Sequence, residues 1–363
     1  MPYWIQSTLA ATPALLWMFA GVGLPWALVA LPRRDWRDRI MVACLTLAFG
    51  PALVTAWMFV LGSVQGANLL RLEWVLGGTG VIAAVGWVLV WVIRTPPPSP
   101  LPVHKEGEQN QAIEPPRRQE RDGNTEDDVG GRGAALSLRF DERLLVGLVA
   151  IALVIRWIGV AYWPTTAYDA LWVYGYEGRL YTLLGHIPTS IEYYPQFLPL
   201  QHTFLQLAVG GIDDHAARAV LPWLHIGSIL AVYVMGNRLF SRRVGIFAAA
   251  IWALYPHMGE WSRYGDLEVP VTFMFTGAVA FFVMALEKQL SVTTYQLSAR
   301  PSITTNNATY NMRYAVIAGL FLGIGLWTKP TMGAFVWGMA LVGVAGIWGW
   351  RAKRGGGSAS SYR

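Results

Sequence analysis

The chain is short of charge. Asp, Glu, Lys and Arg make up 14% of its 363 residues, against about 25% in soluble domains. With 54% of residues hydrophobic, that shortage excludes an ordinary soluble domain. Cysteine is nearly absent. The one cysteine, Cys44, lies in an apolar run; it excludes an intrachain disulfide and says nothing about compartment. A signal-peptide pattern is missing too. No Lys or Arg precedes the first apolar run, and no stop follows at the right length. The apolar runs do not alternate in polarity, which excludes a transmembrane β-barrel. The net charge of +6 does not mark a nucleic-acid partner. The basic residues cluster at the ends of apolar runs, as the positive-inside rule requires.

What is present is a series of long apolar runs and 18 Trp. Runs of about 18 or more apolar residues read as membrane-spanning helices. The expected fold class is an all-α polytopic membrane protein. It has about nine transmembrane helices, plus interfacial or re-entrant helices in an outer loop.

Residues 10–31 form the first expected span. Arg33, Arg34, Arg37 and Arg39 follow in one short loop. That loop is the clearest cytoplasmic signal, so the N-terminus is expected outside. Residues 40–62 run out, 63–73 form a nearly uncharged outer loop, and 74–93 return to end at Arg94. Residues 1–94 therefore read as an appended three-helix membrane module. Residues 95–140 open on Pro96-Pro97-Pro98-Ser99-Pro100 and hold almost no apolar residues. They read as a disordered cytoplasmic linker, because they bury too little surface to offset ordering entropy.

A span at 142–162 leads into an outer loop, 163–196, rich in Tyr and Trp. Helical spacing from Tyr174 to Leu184 suggests a helix lying on the membrane. The apolar stretch 197–211 is roughly 22 Å long as a helix, too short for a core of about 30 Å. It reads as a re-entrant or surface helix that does not cross. The span 217–237 then ends at Arg238, Arg242 and Arg243, on the cytoplasmic side if 197–211 does not cross. Residues 244–258 go out, 259–267 form an outer loop, and 268–286 go in. The polar loop 288–313 carries the formal sequon Asn307-Ala308-Thr309, which a cytoplasmic loop does not use. A hairpin of 314–327 and 331–350 turns about Lys329, and 351–363 reads as a flexible tail.

On this parity Asp169, Asp266 and Glu268 share the outer boundary. A carboxylate such as Asp169 suits a general base acting on an acceptor hydroxyl. Asp266 and Glu268, two residues apart, suit a divalent cation bridging phosphate oxygens. Arg218, Arg263 and Lys329 offer charge for a leaving phosphate. Further candidates in the same loops are Glu177, Arg179, His186, His257 and Glu260. For Glu177 and Arg179 the competing reading is ordinary interfacial charge.

The order of these features carries a resemblance. It comprises the Asp169 loop, Tyr193-Tyr194-Pro195-Gln196-Phe197-Leu198-Pro199 before a short helix, and Arg218 opening the next span. It continues through Gly265-Asp266-Leu267-Glu268 to Gly323-Ile324-Gly325-Leu326-Trp327-Thr328-Lys329-Pro330. Over about residues 140–350 this resembles the GT-C superfamily of membrane glycosyltransferases, such as protein O-mannosyltransferases and aminoarabinose lipid A transferases. The resemblance implies a sugar donor carried on polyprenyl phosphate and a lipid, glycan or protein acceptor. It also implies inverting transfer at the extracytoplasmic face of the plasma membrane. By motif position Asp169 is the first-loop Asp near the acceptor. In some members a pair like Asp266 and Glu268 takes part in binding a divalent cation, Mg²⁺ or Mn²⁺; in others no metal is used. Ala170 stands where many members carry Glu. The span count implies that 141–350 is the N-terminal part of such a core. Two other readings stay open: a transporter of lipid or solute, and a non-catalytic or truncated membrane scaffold. Transport calls for polar groups at the bilayer midplane, transfer for polar groups at one boundary. The sequence shows the second pattern.

Overall fold

The computed structural model describes residues 1–64, 66–95, 138–191, 195–295 and 306–355. Most of the expected linker, Tyr193-Tyr194 and the end of the expected tail lie outside the described residues. Every regular element among the described residues is helical, as an all-α polytopic membrane protein requires.

The first helix, α1, runs Tyr3–Ala30 and loosens into π geometry over Trp17–Gly23. α2 is Arg39–Gly62, with Asp38 capping it by accepting from the Met41 amide at 3.1 Å. Pro51 lies inside α2; neighbouring helices re-satisfy the freed carbonyl in such proteins. The two helices meet backbone to backbone. A Cβ at Gly23 would stand 2.4 Å from the Thr46 carbonyl oxygen, and one at Gly50 2.3 Å from that of Met18. Small residues that admit close approach are the usual glue of membrane helices. α3 is Leu72–Arg94 and α4 is Phe140–Tyr162. Only 22% and 11% of their span windows are buried in the chain, so most of their apolar surface is left for lipid.

α5 covers Gly175–Leu184, entered through a π turn at Ala170–Tyr174. α6 is Phe197–Val209. All residues from Phe197 to Gln206 are buried. A helix buried on every side does not lie on a membrane surface, which corrects that part of the expectation. Its 13 residues are still too few to cross, at about 1.5 Å each. α7 runs Asp214–Leu239. Asp213 caps it, accepting from the His215 and Ala216 amides at 2.9 and 3.0 Å.

α8 is Arg242–Leu254, capped by Ser241. The expected span 244–258 is broken here. Tyr255 turns extended ahead of Pro256, and a separate amphipathic helix α9 covers Pro256–Tyr264. α10 is Glu268–Tyr295, α11 Asn306–Thr328 and α12 Gly333–Gly355. Among the described residues, six helices are long and apolar enough to span. The expected count of about nine is reached only by adding the short α8 and the apolar parts of α11 and α12.

One hydrophobic core joins α1, α2, α6, α7, α10 and α11. Residues 1–94 thus contribute to the same core as the later helices. Polar contacts sort the helix ends into two groups. At one end Arg238 donates to Asp38 at 3.0 Å, Arg242 to Glu142 at 2.6 Å and Arg243 to Asp141 at 2.7 Å. There too Tyr314 donates to Asp35, and Arg313 to the Leu31 carbonyl at 3.2 Å. At the other end Tyr3 donates to Asp213, the Ile187 amide to Gly62, and the Leu70 amide to Gly185. These two groups coincide with the arginine-rich and arginine-poor loops of the sequence.

By the positive-inside rule the arginine-rich end is the one expected in the cytoplasm. In a Cys44→Ala background, a membrane-impermeant thiol reagent is expected to label Thr165→Cys and to leave Ser241→Cys unlabelled. The reverse pattern overturns this orientation.

Candidate active site at one end of the bundle

Arg218 is the most buried charged side chain of this end, at 1% exposure. Its guanidinium donates to three backbone carbonyls: Asp214 at 3.2 Å, Arg263 at 2.9 Å, and Trp163. It thereby ties the loop after α4 and the corner after α9 to the start of α7. Hydrogen bonds from a charged donor are worth about 1.5–3 kcal/mol each.

The corner itself depends on Gly265. It ends α9 in the left-handed region at φ +84°, where glycine carries no Cβ penalty. A Cβ there would also meet Arg218 Cδ at 3.0 Å and Ala170 Cβ at 3.6 Å. The same packing sets Ala170, and hence Asp169, beside Asp266.

Asp169 is exposed, and its side chain makes no capping bond to the π turn it precedes. Asp266 is buried, with Oδ1 accepting from the Leu267 amide at 2.7 Å. Burial above all, then the charges of Glu268 and Asp169, push its carboxyl up to about 7. Glu268 opens α10, and its Oε1 accepts from Lys329 Nζ at 3.2 Å. Lys329 comes from the turn between α11 and α12. Arg263 lies over the Trp163 ring at 5.8 Å. Three chain segments thus supply Asp169, Asp266, Glu268 and Lys329, over the clamp formed by Arg218.

The other sequence candidates are placed elsewhere or are already engaged. Arg179 makes a two-pronged ion pair with Asp214. Glu177 is 3% exposed, and burial pushes its carboxyl up to about 7 while the Tyr181 hydroxyl donates to it at 3.4 Å. It belongs to the α5–α6 interface. His186 Nδ1 is 3.1 Å from the Leu184 carbonyl oxygen, beside the loop after α2. His257 accepts from Trp261 on exposed α9. Glu260 accepts from Tyr264 at 2.5 Å and lies 3.7 Å from Arg263.

The sequence reading passed over His202 and Gln206. They lie one turn apart on α6 and line a small cavity with Thr165, Ala170, Arg218 and Gly265. The available signal was the polar run Gln201-His202-Thr203 inside an apolar stretch. A larger cleft of about 410 Å³ opens beside Thr165, lined also by Tyr3, Pro164, Asp213 and His215.

The residues present do not fit a divalent cation held by the protein. Lys329 already sits on Glu268, and Asp266 Oδ1 already accepts from the Leu267 amide. Among the described residues no group of three or more His, Cys, Asp or Glu is placed to hold a metal ion. A hard cation needs more oxygen ligands than one neutralised pair offers.

The family model described as dolichyl-phosphate-mannose-protein mannosyltransferase matches residues 200–300. That stretch runs from α6 through Arg218 and the Gly265 corner into α10, the frame on which the site is built. It supports a membrane glycosyltransferase of the GT-C type. Asp169 and Lys329 fall outside the matched stretch. No curated protein and no solved structure matches the chain.

Two outcomes follow for this frame. Gly265→Ala is expected to lower stability by roughly 1–2 kcal/mol from the left-handed backbone alone, read as a lower Tm in detergent. An acid raised in the fold favours the folded state while protonated, so its contribution is lost as pH rises through the folded value. For Asp266 that window runs from its ordinary range near 4 up to about 7. Glu177 titrates in the same window, so the comparison must be with Asp266→Asn. Wild-type Tm should fall between pH 5 and 8 by more than that of the variant.

Proposed function

We propose that the chain transfers a sugar from a polyprenyl-phosphate donor to an acceptor hydroxyl at the extracytoplasmic membrane face. The observation that carries this reading is the grouping of an exposed carboxylate, Asp169, with Asp266, Glu268 and Lys329 at one end of the bundle. The electrostatic influence of Asp169 on Asp266 supports a shared site. The family match over the frame supports the reaction type.

In the proposed step Asp169 takes the proton of the acceptor hydroxyl as its oxygen attacks the anomeric carbon. The bond from that carbon to the phosphate oxygen breaks on the opposite face, so the configuration inverts. The leaving phosphate gains negative charge, and Lys329 with Arg263 neutralises it. Asp266, protonated near neutrality, donates a hydrogen bond to a phosphate oxygen rather than repelling it. Glu268 holds Lys329 in place. The cleft by Thr165 gives the acceptor a way in from the aqueous side. The sugar and the class of acceptor, whether lipid, glycan or protein, are left to assay. The orientation that suits the reaction has the N-terminus outside the plasma membrane.

A general base contributes about 10²–10⁴-fold. Asp169→Asn is therefore expected to lower turnover by that order with Tm unchanged, because the side chain is exposed and makes no capping bond. The assay is sugar transfer from a polyprenyl-phosphate donor by reconstituted protein. Wild-type rates from this variant remove Asp169 from the mechanism. In the same assay, excess EDTA should leave wild-type turnover within about twofold, since the donor set is too small to hold a cation. Abolition of transfer by EDTA, with recovery on adding Mg²⁺ or Mn²⁺, overturns the metal-free reading.

A further inference from the structure

Arg156 stands within the last two turns of α4, the helix with the least buried span window. Its neighbours Ile151, Val154, Ile155 and Ile158 are exposed, and in a membrane they face lipid. A cation inside such a span is costly and calls for a partner of opposite sign. Among the described residues Arg156 forms no ion pair with a carboxylate. Its guanidinium donates instead to His225 Nε2 and, at 3.0 Å, to the Tyr255 carbonyl oxygen that ends α8.

Neither neighbour supplies negative charge. His225 is 1% exposed on α7. With Nε2 accepting from Arg156, its proton sits on Nδ1, which has no partner. The approach of α9 is equally specific. A Cβ at Gly259 would stand 3.0 Å from Arg156 Nε and 3.1 Å from Nη2. α4, α7, α8 and α9 thus converge on a guanidinium that still has donors to spare, since arginine carries five N–H groups.

We propose that Arg156, backed by His225, binds the phosphate of a membrane lipid entering sideways from the leaflet at the Tyr162 end of α4. Lipid phosphate is the anion that a membrane offers in quantity near its surface, and Arg156 lies within two turns of the Tyr162 end of α4. Guanidinium matches it through forked donors and is weakly hydrated. Leu254 and Tyr255, 41% and 49% exposed, flank the carbonyl that Arg156 holds and give the acyl chain an apolar rest. Neither Arg156 nor His225 belongs to the Asp169–Asp266–Glu268–Lys329 group. The inference therefore stands whether or not that group transfers sugar.

The test is native mass spectrometry of protein released from nanodiscs. The discs are phosphatidylcholine doped with either phosphatidylglycerol or a polyprenyl monophosphate. Wild type is expected to retain one anionic lipid, Arg156→Lys to retain it in part, and Arg156→Gln to lose it to the phosphatidylcholine background. Retention of both dopants marks a general lipid-phosphate site, and retention of the monoester alone marks a polyprenyl site. Retention of neither, or equal retention by Arg156→Gln, overturns the proposal. Should Arg156→Gln fail to fold, a photoreactive residue at Leu254 of the otherwise wild-type chain decides. It must capture the anionic lipid in preference to phosphatidylcholine, and no preference overturns the proposal equally.

Discussion

A buried guanidinium holds the candidate-site end of this protein together. Arg218 satisfies carbonyls from the loop after α4, the corner after α9 and the first turn of α7. The Trp163 and Arg263 carbonyls lie at the C-terminal ends of α4 and α9, where helix carbonyls lack intrahelical partners. Buried carbonyls left unpaired are costly, so the three segments are held as one unit. Asp169 rides on the first segment and Asp266 on the second. Their proximity is a result of the clamp, not of either loop's own preference.

The clamp works because its surroundings leave no room for another arrangement. Gly265 lets the backbone turn through the left-handed region against the Arg218 stem. α6 fills the space behind with residues buried on every side. The result is a site with a stiff floor and a charged rim. Asp266 lies low with its carboxyl pushed up to about 7, Asp169 stands exposed, and Lys329 is drawn in by Glu268.

The N-terminal helices take part in this frame. α2 packs on α7, where Cys44 Sγ lies 3.8 Å from the Gly227 carbonyl oxygen. The basic loop between α1 and α2 is tied to α7 and α11 through Asp38 and Asp35. These contacts fix α7, and α7 carries Arg218. Residues 1–94 therefore bear on the site from the opposite end of the bundle.

Sequence alone determined what the membrane enforces. Apolar length set the helices, because the bilayer core leaves no other way to satisfy the backbone. Arginine-rich loops sorted the ends, and the contacts among Asp38, Arg238, Glu142 and Arg242 keep to that sorting. Asp169, Asp266, Glu268 and Lys329 were legible as candidates because charge parity put them at one boundary. What the sequence left undecided depends on three dimensions. The break of the expected span 244–258 at Tyr255–Pro256 turns on local backbone angles, to which hydropathy is blind. The burial of α6 and the inclusion of residues 1–94 in the core turn on which apolar faces meet, and apolar faces look alike to lipid and to protein. The sorting of Arg179 to Asp214, Glu177 to Tyr181 and Arg218 to three carbonyls needed tertiary structure. Electrostatic partners are chosen by distance in space, and a chain folded across a membrane separates that from distance in sequence.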